Sequence, residues 1–267
     1  MLNSAKTTIL DKIVDQTRED LVVKKKKTAL SDFRSFELYG RSRRDFKSAL
    51  KRDDDQVRII AEVKKASPSK GIIREEFEPV KTAVQYYQGG ASAISVLTEP
   101  RFFHGDLEYL KAIRHEVDLP LLRKDFIIDF YQIEEARAYG ADAVLLIVGI
   151  TSGAQLEELH HAAMEAGLRC LVECYTQEEY ETISFRQVEI LGVNNRNLKN
   201  FDVNLHRGLE ILSQAPEGVI RVSESGITSP DDLQTIADYN CDAALIGEHF
   251  MRQQHPGDAV KLILDRK

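Results

Sequence analysis

Residues 59–73 read IIAEVKKASPSKGII. The run opens like a buried strand, with Ile59, Ile60, Ala61 and Val63 offering apolar or small side chains to both alternating faces. Its tip breaks the pattern. Glu62 and Lys64 stand two residues apart, which puts them on one face of a strand, and a Ser-Pro-Ser-Lys-Gly loop follows. A strand apolar on both sides is the mark of a parallel sheet covered by helices. The question is what fold brings a carboxylate and an ammonium to the end of such a strand.

The rest of the chain repeats the apolar pattern. Beside VRIIAEV (57–63), the short runs are SAISVLT (92–98), LPLLRKDF (119–126), DAVLLIV (142–148), RCLVEC (169–174), EILGVNN (189–195), VIRVSES (219–225) and AALIG (243–247). Amphipathic stretches of helical period lie between them. PVKTAVQYYQGG (79–90), YQIEEARAYGA (131–141) and LEELHHAAMEAG (156–167) end in glycine, as helix C-termini do. SPDDLQTIADYN (229–240) opens with Ser229 as N-cap, Pro230 at the first helical position and acids in the first turn. Eight strands alternating with helices predict a (β/α)8 barrel, with a doubly wound open sheet as the competing arrangement. The spacing predicts one domain: residues 57–267 as the barrel and 1–50 as an N-terminal helical extension, with ILDKIVDQTREDLVVKKKK (9–27) at helical period. The run Lys24–Lys27 reads as a solvated helix end.

Length and charge agree with this frame. A chain of 267 residues, 43% hydrophobic, suits one such barrel. A net charge of −7 excludes a chain-wide basic footprint for nucleic acid, yet leaves room for local cations that hold an anion. Cys170, Cys174 and Cys241 form neither an even set nor a CxxC pair, which argues for a reducing compartment. No run approaches about 18 apolar residues, and MLNSAKTTILDKIVDQ lacks a signal core. A soluble, cytoplasmic protein is expected, with no membrane or nucleic-acid partner. The histidines are scattered, or adjacent and facing different ways as His160 and His161 are, so no metal site is expected.

In a barrel, polar residues at strand C-termini share one mouth, where chemistry collects. Alternation places Glu62 and Lys64 there from the first strand, and Leu122, Lys124 and Phe126 on one face of the third. It adds Glu173 after Leu171 on the fifth, and Asn194 and Arg196 on the sixth. Structural ion pairs are the competing account for any one of these residues. For all of them together that account weakens, because so many polar groups in one desolvated mouth are costly. After the seventh and eighth strands, Ser225-Gly226 and Gly247-Glu248 are expected to expose backbone N–H groups at the start of a short helix, an anion cradle. The loop Ser67–Gly71 reads equally as a lid whose Lys70 reaches an anion, or as a surface turn.

The phrases IAEVKKASPSKG, SVLTEPRFFHGDLEYL, LPLLRKDFIID, GADAVLLIV, LVECYTQEE, LGVNNRNL, VSESGI and LIGEHFMR run in order between residues 60 and 252. In that order they resemble the indole-3-glycerol phosphate synthase family of the tryptophan pathway. The resemblance implies closure of 1-(2-carboxyphenylamino)-1-deoxyribulose 5-phosphate to indole-3-glycerol phosphate, with loss of carbon dioxide and water and no metal or organic cofactor. It implies Lys124 as principal general acid, Glu173 as acid/base partner, and Glu62 and Lys64 holding each other, with Lys64 on the substrate or serving as second acid. Asn194 and Arg196 would position substrate, and Arg196, Ser67 and Lys64 are rivals for the anthranilate carboxylate. Phe103, Phe126, Leu97 and Leu145 match the aryl pocket, and for Leu145 plain barrel core is an equal account. Ser225, Gly226, Gly247 and Glu248 match the phosphate cradle, Glu248 through its N–H. His249 and Phe250 depart from the small residue and leucine common there. The family also implies a monomer. A phosphosugar isomerase such as phosphoribosylanthranilate isomerase is the alternative. It would use a Cys/Asp pair at strand ends, where the first strand here has Glu62 and Lys64.

Overall fold

A computed structural model describes residues 8–197 and 201–265. Eight parallel strands close into a barrel in chain order: β1 (Arg58–Val63), β2 (Ala93–Leu97), β3 (Leu121–Lys124), β4 (Ala143–Ile147), β5 (Arg169–Cys174), β6 (Ile190–Asn194), β7 (Ile220–Glu224) and β8 (Ala243–Ile246), with β8 paired back to β1. The closed ring decides against the open sheet. Leu198 of the NNRNL phrase and residues 1–7 of the expected extension lie outside the described residues.

Alternation sorts the apolar residues into two layers. Ile60, Leu122, Ala143, Leu145, Leu171, Val222 and Leu245 fill the barrel interior. Ile59, Ala61, Ile94, Val96, Val144 and Leu146 face outward against the helices. The helices between strands include α3 (Pro79–Gly89), α4 (Leu107–Glu116), α5 (Phe130–Ala138), α6 (Gly153–Glu165), α7 (Gln177–Glu181), α8 (Leu205–Ser213) and α9 (Pro230–Asp238). Their ends are cut by local chemistry. Gly90 closes α3 at φ 94°, a conformation only glycine adopts cheaply. Ser229 opens α9 with a reciprocal capping box to Asp232, and Pro230 stands in its first turn as expected. Past β8 come α10 (Glu248–Met251) and α11 (Pro256–Leu264).

Residues 8–50 close the two ends of the barrel. Phe46 and Leu50 of α2 (Phe46–Leu50) pack into the interior cluster at the strand N-termini. There the Arg44 N–H donates to Asp142 at 2.7 Å, and Arg114 pairs with the same carboxylate at 2.6 Å. The Asp142 carboxylate also accepts from Leu121 N–H, so it ties the starts of β3 and β4 together. At the other end, α1 (Ile9–Lys27) lays Ile9, Leu10 and Ile13 over the mouth. Its lysine run is not wholly a solvated end. Lys24 reaches Glu135 at 3.1 Å and Lys25 reaches Asp129 at 2.7 Å, while Lys26 and Lys27 are exposed. Arg101 adds a pair with Asp20 at 2.8 Å. Long-range ion pairs to α5 and the loop before it thus recruit half of the run. Among the described residues no helix is long and apolar enough to cross a membrane.

Candidate active site

The strand C-termini open into one cavity of about 670 Å³. Lys124 stands on its floor. Its Nζ donates to Glu173 at 2.9 Å and lies 3.5 Å from Glu224. Burial by itself would strip the proton from Lys124, but the charges of Glu173, Glu224 and Glu62 win and hold its pKa above the ordinary lysine value. Glu173 is likewise pushed up by burial and pulled back further by Lys124, with help from hydrogen bonds including one from Asn194, so it ionises below the usual carboxylate range. The Asn194 amide donates to Glu173 at 3.4 Å and its carbonyl oxygen accepts the Arg196 N–H at 3.0 Å. Across the floor, Lys64 pairs with Glu62 at 2.6 Å.

Glu224 is the residue that the reading of the sequence passed over. The alternation that aims Glu173 into the mouth also aims Glu224, which lies beside Asn194 in the β6–β7 register. The Ser225-Gly226 turn just after it drew the attention instead. Glu224 is 1% exposed, and burial, reinforced by the Glu173 charge and only partly opposed by Lys124, drives its pKa well up. The two carboxyls are pushed apart: Lys124 favours the ionised form of Glu173, while burial favours the protonated form of Glu224, whose oxygens have no hydrogen-bond partner among the described residues. A raised carboxyl costs stability progressively as pH climbs above its unfolded value of about 4.3. Glu224→Gln is accordingly expected to raise Tm at pH 8 by roughly 2–4 °C for each kcal/mol relieved, with the gain shrinking toward pH 4. Melting curves across that range check it, and a gain that grows on acidification contradicts the assignment.

One wall of the cavity is apolar. Leu97, Phe103, Phe126 and Leu145 line it together with Ile9, Leu10 and Ile13 of α1. The rings of Phe103 and Phe126 stand 5.9 Å apart. Leu145 belongs to the interior core and also borders the cavity. Glu99, not singled out in the sequence, fixes the Phe103 turn: its carboxylate accepts N–H groups from Arg101, Phe102 and Phe103 at 2.7–3.0 Å. The α1 wall also escaped the sequence, because helical period shows which face is apolar but not what covers it.

The two turns expected to cradle an anion border the opposite wall, and one of them departs from the expected geometry. No helix begins at Ser225-Gly226; the next starts at Pro230. The Ser225 N–H is spent on the Leu245 carbonyl at 3.3 Å. Ser225 and Gly226, at φ 71° and 76°, instead make a left-handed bend that borders the cavity. Asn195 holds this bend by donating to the Ser225 carbonyl at 3.0 Å. Gly247 does precede a helix, α10. The Glu248 carboxylate is engaged by Arg196 at 3.2 Å and Arg252 at 3.1 Å, so Arg196 leans toward this wall. Phe250 turns away into the outer core against Tyr86, whereas His249 borders the cavity. A Cβ at Gly247 would collide with the Glu62 carboxylate. Gly247→Ala is thus expected to displace Glu62 from Lys64 and lower kcat/KM by about 10- to 100-fold; steady-state kinetics within twofold of the parent rule that out.

Ser67 closes the rim. The loop 67–71 is a short hairpin: Ala66–Ser67 pairs antiparallel with Gly71–Ile72, and Ser67, Pro68, Ser69 and Lys70 border the cavity. The three cysteines are buried, unbridged, and packed in the outer layer away from the mouth, which leaves no thiol for the isomerase chemistry.

A sequence model of the indole-3-glycerol phosphate synthases matches residues 10–263. The chain belongs to the indole-3-glycerol phosphate synthase family. It is 50% identical over 254 residues to the indole-3-glycerol phosphate synthase of Salinibacter ruber, covering 94% of this chain and 93% of that one. It is 45% identical to the synthase of Campylobacter jejuni over 263 residues, or 96% and 100% of the two chains. Among solved structures, a thiamine phosphate pyrophosphorylase from Pyrococcus furiosus superposes with a TM-score of 0.58 at 16% identity, covering 78% of this chain and 94% of that one. So distant a likeness speaks to the barrel alone. In this chain the apolar wall, the charged floor and the two glycine turns border one cavity.

Proposed function

We propose that this cavity closes the indole ring of 1-(2-carboxyphenylamino)-1-deoxyribulose 5-phosphate, giving indole-3-glycerol phosphate, carbon dioxide and water. The observation that carries the assignment of roles is the position of Lys124 between an apolar wall and a polar one, beside an ionised Glu173. The aryl ring lies against Leu97, Phe103, Phe126 and Leu145. The phosphate lies at Ser225, Gly226, Gly247 and the Glu248 N–H. The ketone carbon then falls over the floor.

As the aryl carbon bearing the carboxylate attacks the ketone carbon, the ketone oxygen takes a proton from Lys124. A proton held so firmly, above all by Glu173, goes only to a strong base, and the alkoxide forming at ring closure is one. The carboxylate leaves as carbon dioxide and its bonding electrons return to the ring. The new hydroxyl then departs as water with a proton from a lysine, Lys64 being placed as second donor by Glu62. Glu173 accepts the proton lost as the indole double bond forms. Asn194 keeps Glu173 aimed, and Arg196, Ser67 and Lys64 share the anionic groups of the substrate. The same reading treats residues 57–267 as one barrel domain that acts as a monomer in the cytoplasm on a small phosphorylated substrate.

Purified protein mixed with that substrate is expected to develop indole fluorescence and release one carbon dioxide per turnover. Turnover of N-phosphoribosyl anthranilate in its place would replace this reading with the isomerase.

A further inference from the structure

On β3 the side chains that face inward, Leu122 and Lys124, alternate with one that faces the helices, Arg123. Arg123 is fully buried. On β2 and β4 the comparable outward positions hold Ile94, Val96, Val144 and Leu146. A buried ion cluster is seldom more stabilising than apolar residues of similar volume, so its presence on the strand of the principal acid asks for another account.

The contacts supply one. The Arg123 guanidinium pairs with Asp125 at 2.9 Å and Glu135 at 2.7 Å, and donates to the Gln132 carbonyl at 2.8 Å. Thr98 at the end of β2 donates its hydroxyl to Asp125 at 2.6 Å and accepts from Arg123 Nε at 3.2 Å. These same groups grip the backbone that carries the site. Asp125 accepts the Phe126 N–H at 2.9 Å, Gln132 donates to the Phe126 carbonyl at 2.9 Å, and the Thr98 N–H donates to the Lys124 carbonyl at 3.1 Å. Lys24 of α1 reaches the cluster through Glu135.

We propose that Arg123, Asp125, Glu135 and Thr98 form a clamp whose task is to fix the backbone of residues 124–126, and with it the ammonium of Lys124 and the ring of Phe126. They are positioning residues: Arg123, Glu135 and Thr98 lie outside the cavity lining, and Asp125, which borders it, has its carboxylate engaged by Arg123, Thr98 and the Phe126 N–H; the proposal rests on Lys124 being the acid. The clamp sets the distance from Lys124 to Glu173, Glu224 and Glu62, the acids that act on its ammonium from β5, β7 and β1. Loosening it separates the ammonium from those carboxylates, so the proton is held less tightly.

Arg123→Lys keeps the charge but loses the two-armed grip. Its kcat is expected to fall about 10- to 100-fold, and the basic limb of its pH–kcat profile is expected to move to lower pH by about one unit. Arg114→Lys is the matched control, a buried arginine of an ion pair at the opposite end of the barrel. It is expected to lower Tm and leave the pH profile in place. A merely structural role for Arg123 would scale its profile without shifting it, as in the control, and that result overturns the clamp. If Arg123→Lys does not fold, Thr98→Val decides: a shifted basic limb supports the clamp, and an unshifted one overturns it. Lys124→Ala, measured alongside, separates the two ideas. Its loss of turnover beside an unshifted Arg123→Lys condemns only the clamp, whereas full turnover in Lys124→Ala condemns the acid.

Discussion

Lys124→Ala is expected to lower kcat by about 10³-fold, within the range that a positioned acid supplies, and to leave a folded barrel. The rate and the stability should respond together, for one reason. Lys124 is the counter-charge that lets Glu173 ionise in a buried site. Without it, burial raises the Glu173 pKa above its unfolded value, and Glu224 is already raised. Two raised carboxyls favour the folded state least at high pH. The variant should therefore melt close to the parent at pH 5 and fall behind as pH approaches 8. Removing one partner of a buried pair costs about 3–5 kcal/mol, less than most domains possess. Circular dichroism and calorimetry across pH, beside product fluorescence, make the comparison. A variant that turns over at the parental rate, or that melts lower at pH 5 than at pH 8, is incompatible with this floor.

The second large effect is expected from Glu173→Gln, which keeps the shape and a carbonyl oxygen for Asn194 while removing the charge. About a 10²- to 10³-fold loss in kcat follows from the missing base. The loss also has a signature in pH. Glu173 is the largest of the charges that keep Lys124 protonated, so the ammonium gives up its proton at lower pH in the variant, and the basic limb of kcat/KM moves down. Because acid and base act as one unit, the double variant should cost little more than Lys124→Ala alone. Costs that multiply would mean that the two residues act independently, and the shared floor would lose its meaning.

Most of this site could be read from alternation along single strands. Glu62, Lys64, Lys124, Glu173 and Asn194 occupy strand ends where period two leaves them no other place, and all of them border the cavity. Glu224 obeys the same rule and was missed because a glycine turn next to it carried a louder signal. What stayed hidden has a common cause. The Arg123 clamp, the Glu99 turn and the α1 wall are each made between segments far apart in the chain. A sequence says that Arg123 faces outward, but not that Glu135 and Thr98 wait there. The expected Ser225 N–H failed on similar grounds, since its partner, the Leu245 carbonyl, comes from the neighbouring strand.

The placement of α1 also matters at the bench. Ile9, Leu10 and Ile13 form part of the apolar wall of the cavity, so a bulky label attached at Thr8 stands next to the cavity mouth. At the other terminus Leu264 rests against Gly90 at the foot of α3, the end of the barrel remote from the mouth. Attachment at Leu264 leaves the cavity mouth clear, and attachment at Thr8 crowds it.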